Sequence, residues 1–166
     1  MLFKNSKGFS LVELLVVLAL MGAIFAIGIP AIVSQMSHLR LTRSVREVSS
    51  ELQAARLKAI ARNTKYRVDF TQGSPDTYRL ATWNTGTGAW ENDATRTTMS
   101  LESGINISTP NANFMVVFYP NGISSSADNA TAAASSMCID NTAKANDKMT
   151  ITIQGSTGMI SVTTGC

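Results

Sequence analysis

Lys7-Gly8-Phe9-Ser10-Leu11-Val12-Glu13-Leu14-Leu15-Val16-Val17-Leu18 opens the run of residues that decides how this chain folds. From Phe9 to Ile29 there are 21 consecutive positions with one charge, Glu13, and no Lys, Arg or Asp. At about 1.5 Å per helical residue such a run reaches roughly 30 Å, the thickness of a bilayer's hydrocarbon core. A carboxylate placed at the centre of that core costs roughly 2.5–3.5 kcal/mol on insertion scales, so an ionisable residue there defaults to a functional role with a charged partner. For Glu13 the obvious partner is a positive charge on another molecule.

The flanks define the topology. Met1 to Gly8 carries Lys4 and Lys7 and no acid, which keeps this leader cytoplasmic by the positive-inside rule. A secretory signal peptide would need a 7–15-residue apolar core and a small-x-small cleavage site. The run here is too long, and Ile24 spoils the best site near Ala26. An uncleaved signal anchor fits the hydropathy equally well, but gives no reason for Gly8, Phe9 and Glu13 to stand together.

Residues Lys7 to Leu18, with Pro30 further along, resemble the N-terminal motif of the type IV pilin superfamily, over about 25 of the 166 residues. The resemblance implies that a membrane-embedded prepilin peptidase cuts after Gly8 and methylates the new N-terminus, Phe9. It also implies that Glu13 neutralises the N-terminal ammonium of a neighbouring subunit during assembly. The physics agrees: each charge alone is poorly tolerated in a dry helical core, and paired they offset one another.

Past Ile29 the chain shows no loop signal. Pro30 removes a backbone donor and crowds the preceding turn, so a kink or a locally melted turn is expected there. Further on, Leu41, Val45, Val48, Leu52, Ala55 and Ala59 recur at spacings of three and four, the apolar stripe of an amphipathic helix. Asn63-Thr64 reads as its stop, giving a helix of roughly 80 Å from Ser10 to Asn63. Residues 64–166 alternate apolar and polar positions in short runs. The predicted strands are 66–70, 77–83, 96–101, 105–108, 114–119, 136–139, 149–154 and 159–163. Pro120-Asn121-Gly122 and Gly155-Ser156-Thr157-Gly158 read as tight turns, and 73–76, 84–93 and 124–135 as surface loops, the last low in complexity and mobile.

The expected architecture is therefore α+β: a leader (1–8), a long helix (9–63) whose first half (9–29) crosses the membrane, and a β-rich head (64–166). The resemblance implies the type IV pilin fold. Within the superfamily, Phe114-Met115-Val116-Val117-Phe118-Tyr119-Pro120-Asn121-Gly122, a late Cys and a closing hairpin resemble the FimU/FimT minor pilins and the GspH pseudopilins, FimU most. Cys138 and Cys166 are an even pair in an exported domain and not a C-x-x-C motif, which favours a structural disulfide over redox or zinc chemistry. A reactive thiol at a filament tip is the alternative.

Charge is divided along the chain. The total is +3, and loss of the leader leaves +1. Residues 38–62 hold six bases against Glu47 and Glu51, and residues 63–166 are −2. The basic band lies beside the expected membrane segment, where anionic lipid or acidic subunits would meet it. A slightly acidic head is a poor footprint for DNA. Relatives that bind DNA carry a Gly-Arg-x-Arg motif in the closing hairpin, whereas Gly158-Met159-Ile160-Ser161 stands here and no Arg or Lys follows Lys148.

No catalytic constellation is visible. His38 has no acid beside it in sequence, the head's aspartates are scattered without a metal-ligand spacing, and Ser124-Ser125-Ser126 has no neighbouring base. Trp83 and Trp90 bracket a Gly/Asn/Thr-rich segment that reads as a hairpin or packed loop rather than a sugar-binding platform. The functional expectation is a non-enzymatic minor pilin, without cofactor or metal, in the inner membrane with a periplasmic head and then at a pilus tip. Its partners would be the prepilin peptidase, other minor pilins and the major pilin. A pseudopilin of type II secretion is the first alternative and a DNA-uptake pilin the second.

Overall fold

The computed structural model describes residues 10–129 and 131–166, so Gly8 and Phe9 lie outside the described residues. Among the described residues one helix, α1 (Leu11–Arg62), precedes ten strands. The chain divides between Met36 and Ser37 into two compact units.

In the first unit α1 runs through Pro30 without a break. Leu11, Val12, Leu14 to Leu18, Leu20, Met21, Ile24 and Phe25 are all exposed, Leu11 at 74%. Among the described residues no helix is long and apolar enough to cross a membrane.

The second unit is built around the α1 stripe. Leu41, Val45, Val48, Leu52, Ala55 and Ala59 are all at most 1% exposed, so the predicted spacing is the packed face. The helix ends where Asn63 adopts φ 49°, a left-handed cap that Asn tolerates. The Thr64 amide donates back to the Ala59 carbonyl at 3.3 Å.

Two antiparallel sheets form the rest. The first runs in the order β3 (Ala89–Asn92), β2 (Thr77–Asn84), β1 (Tyr66–Thr71), β6 (Phe114–Phe118), β7 (Ser124–Ser125), with β4 (Met99–Ser100) also against β2. The second runs β10 (Ile160–Thr164), β9 (Lys144–Ile153), β8 (Ser135–Asn141), β5 (Ile105–Thr109). Alternation places Tyr66, Val68, Phe70, Leu80, Val116 and Phe118 of the first sheet, and Ile107, Met137, Ile139, Ile151 and Ile153 of the second, in one core with the stripe. Phe70 stacks on Phe114 with ring centroids 4.6 Å apart.

Three expectations are corrected. The 84–93 loop contains β3, because Trp83 pairs with Trp90 across a hairpin. The predicted strand over 96–101 shrinks to Met99–Ser100: Asp93 takes the amides of Thr95 by its side chain and of Arg96 by its carbonyl, which turns the chain there. The 124–135 segment is anchored as β7, with Ser124 and Ser125 buried. Ser124 donates its hydroxyl to the Gln154 carbonyl, so a polar buried strand escapes a hydrophobic-pattern reading.

Candidate functional site

Glu13 lies in the first turn of α1. Among the described residues nothing pairs with its carboxylate, and its neighbours on all sides are exposed apolar side chains. The local sequence explains this: a segment apolar all round forms a helix with no face suited to water.

Further along α1, Arg40, Arg43 and Arg46 are exposed and make no ion pair among the described residues. Of the nearby acids, Glu47 is exposed four positions from Arg43 and one from Arg46, and Glu51 is occupied. Glu51, buried on the inner side, meets Arg96 at 3.4 Å. His38 does find an acid, Asp147 on β9, at 2.8 Å, and Asn141 donates to the other Asp147 oxygen at 3.1 Å. That pairing across 109 positions has no signal in the sequence. Burial pushes the Asp147 carboxyl up, and the hydrogen bonds from His38 and Asn141 more than offset it, so it sits below the usual carboxylate range.

A cluster on the first sheet was also missed, although its two tryptophans stand out in the sequence. The Lys65 ammonium lies 4.1 Å from the Trp83 ring centroid and 5.5 Å from that of Trp90, and Arg67 stacks over Trp90 at 4.6 Å. Asp128 closes the cluster. It accepts from Lys65 at 2.7 Å, from Trp90 Nε1 at 3.1 Å and from the Tyr119 hydroxyl at 3.3 Å. Burial opposes these bonds, yet they hold the Asp128 carboxyl low. Lys65, Trp90 and Tyr119 thus converge on Asp128 and tie it to the first sheet.

Cys138 on β8 and Cys166 are bonded, with Cα atoms 5.9 Å apart. The bridge crosses β9, since Cys138 is registered with Thr150 and Thr150 with Thr163 of β10. Among the described residues no group of three His, Cys, Asp or Glu side chains could hold a metal ion.

Among the described residues, then, one helix packs its apolar stripe on two antiparallel sheets, and its first turn carries an exposed acid in an apolar run. Residues 44–157 match the family described as type II transport protein GspH, and residues 3–29 match the prokaryotic N-terminal methylation motif. The chain belongs to the GspH family, within the type IV pilins and pseudopilins. Its fold resembles the minor pseudopilin EpsH from the type 2 secretion system of Vibrio cholerae, with a TM-score of 0.56 and 13% identity over 75% of this chain and 97% of that one. It equally resembles the type IV minor pilin FimU of Pseudomonas aeruginosa, with a TM-score of 0.57 and 14% identity over 74% of this chain and 87% of that one. A fimbrial protein of Pseudomonas aeruginosa is 33% identical over 81 residues, 43% of this chain and 53% of the relative. The chain thus spans about half the length of the curated relatives it matches.

Proposed function

We propose that the chain is a minor type IV pilin that joins a priming or tip complex and promotes pilus assembly. In this reading the leader ends at Gly8, Phe9 becomes the methylated N-terminus, and 9–29 anchors the chain in the inner membrane until extraction. The observation that carries it is the exposed apolar sleeve of α1 around Glu13. Such a surface is unstable in water and compatible with lipid or with fellow helices. Moving the helix from lipid to a bundle keeps its apolar side chains dry, and Glu13 then offsets a neighbouring ammonium rather than facing hydrocarbon alone. Pro30 supplies a place where the helix can bend as subunits pack.

Glu13→Ala tests the mechanism. Cleavage and membrane insertion should persist, while surface pili fall at least tenfold by shearing assay; normal piliation would refute the role given to Glu13. A second reading, a pseudopilin of type II secretion, is favoured by the family match over 44–157. Deleting the gene and scoring twitching, exoprotein secretion and transformation separates pilus, secretion and DNA uptake, with loss of twitching alone expected.

A further inference from the structure

β10 closes the second sheet, and among the described residues no strand pairs with its outer side. Its register fixes which groups are free. Gln154 donates to the Met159 carbonyl and Gly165 to that of Lys148, so the odd-numbered residues of β10 bond inward to β9. By antiparallel alternation the amides and carbonyls of Ile160, Val162 and Thr164 point away from β9.

Protected edges carry lysine, proline, a bulge or an inward charge. Ile160-Ser161-Val162-Thr163-Thr164 has none of these, and its pairing with β9 is regular. The disulfide across β9 and the Thr150 hydroxyl bonded to the Gly165 carbonyl pin its far end. This edge is exposed and also preorganised.

Beside it lies a cleft of about 220 Å³ between α1 and the hairpin, lined by Gln53, Arg56, Leu57, Gly158, Met159 and Ile160. Leu57 is 63% exposed and Met159 57%. The Arg56 Nε is buried without a hydrogen-bond partner, at the turn end of β10 beside Gly158. The free edge calls for an extended backbone, the cleft for apolar side chains at alternate positions, and Arg56 for an anionic acceptor.

We propose that the free edge of β10 and its cleft take an extended segment of a different pilin subunit, added as a fifth strand and carrying an acidic residue at the Arg56 end. Strand addition draws its affinity from main-chain bonds and its specificity from alternate side-chain pockets. The source of the strand rests on the filament reading above; the site itself does not, and a peptide tests it without any filament.

The experiment uses the full chain in detergent and a fluorescent eight-residue peptide of alternating Thr and Val ending in Asp, read by anisotropy. Saturable binding is expected, about fivefold weaker with a Lys in place of the Asp or with Arg56→Gln. Val162→Pro removes only an outward amide, which an edge strand tolerates, and should weaken binding at least tenfold while Val162→Thr preserves it. N-methylation of alternate peptide amides should do the same without altering the protein. No binding, undiminished binding by Val162→Pro or by the N-methylated peptide, or self-association of the chain lost in Val162→Pro would each overturn the proposal, the last by making a second copy the occupant. Glu13→Ala leaves all these values unchanged, so failure here and failure of the assembly mechanism are separately visible.

Discussion

Asp93 shows how the head ties its helix to its sheet with single residues. Its side chain is 4% exposed and accepts from Lys58 Nζ at 2.7 Å and from the Thr95 amide at 2.9 Å. Burial pushes its carboxyl up, but the bonds from Lys58 and Thr95 win and hold it at about 2. A carboxyl depressed from 3.8 contributes its full stability above about pH 4 and loses it as pH falls through about 2. Asp128 and Asp147 are depressed too and add in the same direction. Thermal melts of the head should therefore fall steeply between about pH 4 and 2. Asp93→Asn should cost about 2 kcal/mol at pH 7 and flatten that slope, as urea unfolding across the range would show. Gly158 is the second such position. Its φ is +61°, and a Cβ there would meet the Gly122 carbonyl at 2.5 Å and Arg56 Nε at 3.0 Å. Gly158→Ala should destabilise by about 1–3 kcal/mol in the same assay, because the turn must shift to admit it.

At the scale of elements, β10 depends on the disulfide more than on burial, since four of its five residues are exposed. Replacing both Cys138 and Cys166 by Ser should cost roughly 2–4 kcal/mol, and amide exchange should rise first at Ser161 and Thr163, the residues that bond inward to β9. Uniform loss of protection across the second sheet would instead make the bridge a global brace. The strands that the sequence shows and those it hides differ for a physical reason. Tyr66–Thr71 alternates because one face packs in the core with the helix stripe, and Phe114–Phe118 shows as a short apolar run whose last three residues are all buried. β7 buries Ser124 and Ser125, whose burial is satisfied by bonds to residues 129 and 154, beyond local pattern. The Lys144–Lys148 part of β9 is largely polar because it stands near the free end of a hairpin, where pairing with β8 sets its conformation. Asp128 and Asp147 were invisible as anchors for the same reason: Lys65 and His38 reach them across 63 and 109 positions. Glu13 stands out in the sequence because its signal is local, one acid in an apolar run, and its role is tested by the Glu13→Ala variant above.

The whole molecule separates two kinds of stability. Among the described residues the buried apolar cluster lies within residues 41–153, with Ile160 packed at its margin. The second unit begins at Ser37 and contains both the α1 stripe and the two sheets. A chain truncated before Ser37 should keep the cap at Asn63, the disulfide and the Lys58–Asp93 pair. Its melting temperature should match that of the full chain in detergent within about 4 °C, since a change of 1 kcal/mol shifts a domain of this size by roughly that much. The partition between phases should change completely, because the exposed sleeve from Leu11 to Phe25 goes with the deleted residues. The truncated chain should stay in the aqueous phase of a detergent phase-separation assay and the full chain in the detergent phase. A truncated chain that melts far lower would show that the apolar half of α1 supports the head's fold. Equal melting with opposite partition would leave that half free to serve association alone, which is what a subunit must allow when its helix passes from lipid into a bundle while its head stays folded.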